Sequence, residues 1–299
     1  NKTNILFIST IALKNTNTFS IPEGIKSYST DISGMTNIKK IIIPASLTDI
    51  DPNKLPKSIE SIEIKNGNKT LLYENGFLYN SSQTLIMCCS KEKDITVPEG
   101  IKTIGALSFK QATNVENVVF PDSLVSIQDR VFEGASNIKR IDIGKNVNNI
   151  SPIFKIRNYN GVVNIDKENT NYVIENNILY KLNNGKKERL VAVLTEITNN
   201  IEISKEVNII GTNAFFGQKS MTQIIIPKGV TSIEGGAFSE CSKLERVEIP
   251  NTVTDIANTA FSAESFNLSE IIIHNKENSI AGAPWGAAKG MKVVQWVGK

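Results

Sequence analysis

The chain is organised by one recurring pattern, an apolar-x-apolar triplet followed by proline. The clearest copies are Ile95-Thr96-Val97-Pro98, Val118-Val119-Phe120-Pro121, Ile224-Ile225-Ile226-Pro227 and Val247-Glu248-Ile249-Pro250. Phe19-Ser20-Ile21-Pro22 and Ile41-Ile42-Ile43-Pro44 belong to the same set. Pro98 to Pro121 and Pro227 to Pro250 are each 23 residues apart, and Pro22 to Pro44 is 22. Degenerate copies at Ile62-Glu63-Ile64, Ile141-Asp142-Ile143, Val163-Asn164-Ile165, Ile201-Glu202-Ile203 and Ile271-Ile272-Ile273 complete a series of eleven. Alternation within a triplet predicts a short strand with its outer residues turned inward and its middle residue turned out. Proline ends that strand, because it has no N–H to donate and its φ is fixed.

Each full unit carries a longer apolar ladder. One copy reads Met221, Ile224, Ile226, Val230, Ile233, Ala237, Phe238, and the next Leu244, Val247, Ile249, Val253, Ile256, Ala260, Phe261. A single unit has nothing to bury this ladder against, whereas stacked copies bury one another's. The reading is therefore a mainly β repeat protein in which each strand pairs with its counterpart in the next coil. A period of 20–29 residues with Leu-x-x-Leu-x-Leu spacing, as in Leu244-x-x-Val247-x-Ile249, is that of a leucine-rich repeat. The rival is a parallel β-helix of the pectate-lyase kind. Pro and Phe recurring at fixed positions of every coil favour the leucine-rich-repeat solenoid, a right-handed horseshoe or rod.

The run from Ile226-Pro227-Lys228-Gly229-Val230 through Ile233 to Ala237-Phe238 closely resembles the repeat of the BspA-type leucine-rich-repeat family, and the resemblance spans nearly the whole chain. It departs from ordinary leucine-rich repeats at the slot where Asn caps the turn. That slot holds Gly24, Ser46, Gly100, Ser123, Asn146, Gly229 and Thr252, so a continuous Asn ladder is not expected.

Residues 1–299 read as one solenoid domain with two insertions and a cap. Insertions near 71–89 and 172–194 each hold two apolar runs around a polar turn, which predicts β-hairpins. Asn4-Ile5-Leu6-Phe7 matches Asn177-Ile178-Leu179-Tyr180, so the chain is expected to open inside a third hairpin. After Ile273 the rhythm changes and both tryptophans appear, Trp285 and Trp296, which predicts a C-terminal cap over 275–299. The opening at Asn1, without a charged-then-apolar leader, is expected of a mature or trimmed chain and carries no weight against secretion.

Composition narrows the function. The formal net charge is +3 with Lys and Arg scattered along the chain, far from the basic footprint of a nucleic-acid binder. No apolar run is long enough for a membrane-spanning helix. Three cysteines, Cys88, Cys89 and Cys241, show neither a disulfide framework nor zinc-ligand spacing. Cys241 falls in the small-residue slot of Ala112 and Ala135, which makes it core filler. The single histidine, His274, stands where other repeats have proline, and without a second histidine the usual acid–base and metal constellations lack material. We therefore expect no catalytic residues, no metal and no cofactor.

The outward triplet positions are the candidate binding surface. Ile42, Val119, Ile225 and Ile272 are apolar where a merely solvated face is polar, and Glu248 sits among them in a mixed-charge stretch with Lys243, Glu245 and Arg246. The family resemblance implies an extracellular or cell-surface protein of a host-associated microbe, binding host matrix or other cells through a macromolecular partner. Two other classes stay open: a structural spacer that presents another domain, and a polysaccharide-active β-helix enzyme.

Overall fold

The computed structural model describes residues 16–151, 161–198, 201–261, 267–287 and 294–298. The expected hairpin at Asn4-Ile5-Leu6-Phe7 lies outside them. The chain packs as two compact units, the first holding Asn1–Ile150 and the second Arg157–Lys299. Both are solenoids of stacked coils, with no α-helix among the described residues. No helix there is long and apolar enough to cross a membrane.

In the first unit the triplets form parallel strands as their alternation predicts. Thr18–Ser20, Lys40–Ile43 and Ser61–Ile64 pair in register, with Phe19 beside Ile41 and Ile41 beside Ile62. Asp94–Thr96, Asn117–Val119 and Arg140–Ile143 pair likewise, stacking Ile95, Val118 and Ile141. The inward residues are fully or almost fully buried, save Ile64, which is half-buried. Each coil then returns through a second, shorter strand of two residues. Ser27–Tyr28 pairs with Asp49–Ile50, and Thr103–Ile104 pairs with Ser126–Ile127, which pairs with Asn149–Ile150.

The insertion after Ile64 is larger than a hairpin. Leu71–Glu74, Phe77–Asn80 and Thr84–Cys88 form a three-stranded antiparallel meander. Its third strand joins the return ladder, with Leu85 in register with Ile104. The expectation that all eleven triplets share one continuous sheet fails here. The meander adds to the return side, so the triplet strands before and after it belong to separate sheets.

The second unit repeats this arrangement. Tyr172–Glu175, Ile178–Asn183 and Lys186–Val193 form the antiparallel meander, and Leu190 hands over to the return ladder at Ile210, followed by Ile233 and Ile256. The triplet Ile201-Glu202-Ile203 forms no strand. Gln223–Ile225, Arg246–Ile249, Glu270–Ile273 and Val294–Trp296 pair in parallel. The C-terminal cap is thus built as one further coil, in which Val294-Gln295-Trp296 continues the triplet column. Trp285, fully buried, takes the backbone place of Ala237 and Ala260 in the earlier coils: its carbonyl accepts the amide of Phe261 at 3.1 Å, as theirs accept those of Phe215 and Phe238.

The phenylalanine slot shows why the period is so regular. Phe215 stacks on Phe238 at 5.0 Å between ring centroids, and Phe238 on Phe261 at 5.2 Å. These distances nearly match the spacing of hydrogen-bonded strands, about 4.8 Å, so rings and backbone stack in step. The turn slot that lacks Asn uses hydroxyls instead. Ser46, Ser123 and Thr252 each accept the amide of a glycine one coil earlier (Gly24, Gly100 and Gly229) and donate to the carbonyl of Ile25, Ile101 or Val230. All three glycines have positive φ, between 87° and 117°, a conformation that side-chain-bearing residues rarely take. Asn146 keeps the amide version, donating to the carbonyl of Asp122 at 2.8 Å.

Truncating one stacked ring tests this account. Phe238→Ala is expected to cost about 3–5 kcal/mol, because it opens a cavity between two rings that cannot collapse independently. Lys228→Ala, at an exposed turn position, is expected to stay within about 0.5 kcal/mol. Urea unfolding of the two variants beside the parent checks both.

Candidate functional site

The outward side chains of the triplet strands sit on a hydrogen-bonded backbone, so their positions follow from register. In the second unit Ile225 lies beside Glu248, Glu248 beside Ile272, and Ile272 beside Gln295, forming a single row across four strands. Ile225 is 65% exposed, the most of any large apolar residue noted on these sheets, and Ile272 is half-buried. A second row beside it holds Gln223, Arg246 and Glu270.

Arg246 ties the two rows together. One guanidinium nitrogen, Nη2, lies 3.3 Å from Glu248 Oε2, and Nε lies 3.0 Å from Glu270 Oε2. The Nε contact is a charge contact without hydrogen-bond alignment. Gln295 donates to Glu270 Oε1 at 3.1 Å, and His274 Nε2 stands 3.0 Å from Glu248 Oε1. The lone histidine is thus an exposed surface partner of a carboxylate at the end of its strand.

The other candidates do not join this row. Val119 is 40% exposed, with Thr96 on one side and Asp142 on the other. Ile42 lies between Ser20 and Glu63 on a separate sheet. Ion pairs occupy the polar positions around both. Lys40 and Lys65 hold Glu63 at 2.7 and 3.1 Å, and their hydrogen bonds keep its carboxyl below the usual range. Glu116 is clasped by Lys139 at 2.7 Å and Lys93 at 3.1 Å with the same effect, and Arg140 holds Asp142 at 2.9 Å. The four apolar candidates therefore form two isolated residues and one pair, with Glu248 lying between the pair.

The cysteines are free and buried. Burial pushes the thiols of Cys88 and Cys241 up to about 12 and raises that of Cys89, whose sulfur lies 3.4 Å from the Tyr73 hydroxyl. A thiol held protonated and out of solvent is a poor nucleophile. No group of three or more His, Cys, Asp or Glu side chains is placed to hold a metal ion among the described residues.

Two buried glutamines went unread in the sequence. Gln218, 2% exposed, occupies the slot of Cys241; it donates to the Thr195 carbonyl at 3.0 Å and accepts the Ile197 amide at 2.7 Å. Gln111, fully buried, donates to the Pro52 carbonyl at 2.9 Å. Each lies on the coil that follows an insertion; Gln111 reaches back to main chain before its insertion, and Gln218 bonds the main chain that leaves the other insertion. A polar residue in or beside a small apolar slot just downstream of an insertion was the available signal.

The thiol chemistry gives a direct test. In the folded protein at pH 8 none of the three cysteines is expected to react with a disulfide reagent on the minute scale, and all three are expected to react in guanidinium. Rapid native labelling of any one contradicts the assignment as core filler.

Comparison with known proteins now bears on this architecture. No curated protein matches the chain. Among solved structures, the pneumococcal vaccine antigen PcpA aligns over 89% of this chain and 74% of its own length, at 17% identity and a TM-score of 0.57. A leucine-rich repeat protein from Eubacterium ventriosum aligns over 88% of this chain at 20% identity and a TM-score of 0.48; the alignment spans 61% of that protein. A leucine rich cell surface protein from Faecalibacterium prausnitzii aligns over 89% of both chains at 19% identity and a TM-score of 0.43. At these identities the likeness to PcpA speaks for the fold alone. The family model of the BspA type leucine rich repeat region matches in six copies, over residues 3–91, 82–199 and 192–284. Stacked coils, proline-ended triplets and a family match over most of its length together make this chain a member of the BspA-type leucine-rich repeat family.

Proposed function

We propose that the chain is a non-catalytic binding protein of the cell surface or extracellular space, recognising a macromolecular partner through the outward face of its triplet strands. The observation that carries this reading is the row Ile225–Glu248–Ile272, where large apolar side chains stand on a rigid sheet beside charged groups. Binding energy concentrates in a few such anchors surrounded by polar contacts. Extracellular placement rests on the family resemblance, as does a host matrix or cell-surface protein as partner. Membership of the leucine-rich repeat family leaves a β-helix polysaccharide enzyme without its fold. A spacer role is the second reading, favoured by the ion-paired surroundings of Ile42 and Val119.

Paired substitutions test the reading. Ile225→Asp and Ile272→Asp are expected to leave thermal melts nearly unchanged, because both side chains point away from the core. Ile226→Asp is expected to be severely destabilising, because Ile226 is 2% exposed and the change buries an unpaired charge. The folded variants are then assayed against extracellular-matrix proteins and host cells. Loss of binding supports the row as the site; binding equal to the parent's removes it and favours the spacer.

A further inference from the structure

The charge balance of the second unit's sheet differs from that of the other two. Compare, on each sheet, the residue leading into each strand and the two outward residues that follow. The sheet of Thr18–Ser20, Lys40–Ile43 and Ser61–Ile64 presents Lys39 and Lys40 against Glu60 and Glu63. The sheet of Asp94–Thr96, Asn117–Val119 and Arg140–Ile143 presents Lys93, Lys139 and Arg140 against Asp94, Glu116 and Asp142. Both are balanced. Among the described residues, the sheet of Gln223–Ile225, Arg246–Ile249, Glu270–Ile273 and Val294–Trp296 presents Glu245, Glu248 and Glu270 against Arg246. Lys243 lies in the turn before the strand, and Glu245 is exposed. A chain of net charge +3 thus carries, among the described residues of its triplet sheets, a surplus of acidic groups on the face where the most exposed isoleucine stands.

Spacing then selects the shape of the partner. Strand separation places Ile225 and Ile272 about 9.6 Å apart, with Glu248 midway at about 4.8 Å. An α-helix lying across the strands rises about 1.5 Å per residue, so its positions i and i+7 are about 10.5 Å apart and i+3 or i+4 falls about 4.5–6 Å along. An extended strand places same-face residues about 6.8 Å apart, which meets neither interval. From this, and resting on the binding function proposed above, we infer that the row Ile225–Glu248–Ile272 docks a basic amphipathic helix of a partner protein. That helix presents apolar side chains at i and i+7 to the two isoleucines and a Lys or Arg at i+3 or i+4 to Glu248. Further cations on its flanks meet Glu245 and Glu270.

The test uses the full chain and designed peptides. The probe is a helical peptide of Ala and Gln with Leu at i and i+7 and Lys at i+4 and i+8. One control replaces both Lys by Glu, and another permutes the same residues into period-two alternation. Fluorescence anisotropy at 0.05 and 0.15 M salt reads binding. The probe is expected to bind at least about tenfold tighter than either control and to weaken with salt. Ile225→Asp and Glu248→Lys, each checked for an unchanged melt, are expected to lower its affinity by about tenfold or more; Glu245→Lys serves where either fails to fold. Equal binding by the alternating peptide or by the Glu peptide overturns the inference, as does a probe that ignores all three substitutions. If matrix proteins bind through Ile225 while no helical peptide does, the partner class falls and the binding surface stands. If neither ligand responds to Ile225→Asp, both fall.

Discussion

The pairing of each coil with the next, at an offset of about 23 residues, is the constraint on which both units depend. Strands of two to four residues make too few hydrogen bonds to fix their own register. The inward side chains fix it, because a slip of one residue would turn every buried Ile and Val to solvent. The phenylalanine stacks at 5.0 and 5.2 Å lock the far side of the coil to the same rise. Hydroxyl rungs at Ser46, Ser123 and Thr252 close the turns between them. Register, ring stacking and turn bonding all repeat at one interval, so no local choice conflicts with the global stack.

The insertions are tolerated because they respect that interval where it matters. In each meander the third strand takes the place of a return strand, so Leu85 stacks on Ile104 and Leu190 on Ile210 and the return ladder continues. Something must still close the wall where a regular turn is missing. Gln218 and Gln111 do this with side-chain amides, bonding main-chain groups of segments that have no regular neighbour. A buried amide is costly unless paired: Gln218 is paired through both its oxygen and its nitrogen, whereas Gln111 is paired through its nitrogen and its Oε1 is buried without a partner.

The features legible in the sequence are the periodic ones. Triplets, prolines and the Phe slot recur often enough for alignment to reveal which residues face in, and Ile225, Glu248 and Ile272 fall into one row from numbering alone. The return ladder was invisible as a sheet, since a strand of two residues such as Ser232–Ile233 shows no alternation. The first strand of each meander, Leu71–Glu74 or Tyr172–Glu175, was missed because four residues with no clear alternation do not stand out from the polar sequence around them. That Ile201-Glu202-Ile203 forms no strand while Val294-Gln295-Trp296 does also escaped the pattern, because pairing depends on what the adjoining coil offers. The sharing of Arg246 between Glu248 and Glu270 is likewise a matter of geometry between coils, with no counterpart in residue spacing.

The solenoid leaves its outward triplet positions free of any folding requirement, and the three sheets use that freedom differently. Around Ile42 and Val119 the charged neighbours are matched in number, and pairs such as Lys40 with Glu63 and Arg140 with Asp142 neutralise the face locally. Exposed pairs of this kind contribute little to stability, but they leave no net field to attract a charged partner. Around Ile225 one guanidinium serves two carboxylates and a third carboxylate stands beside them. Self-repulsion of that surplus slightly disfavours the folded state, and the core gains nothing from it, since Val247 and Ile271 are buried whatever lies outside. An exposed isoleucine and an unbalanced charge thus coincide on one face although neither is needed to fold it. A partner of opposite charge with apolar side chains relieves both at once, which is the physical reason to place recognition on this sheet rather than on the other two.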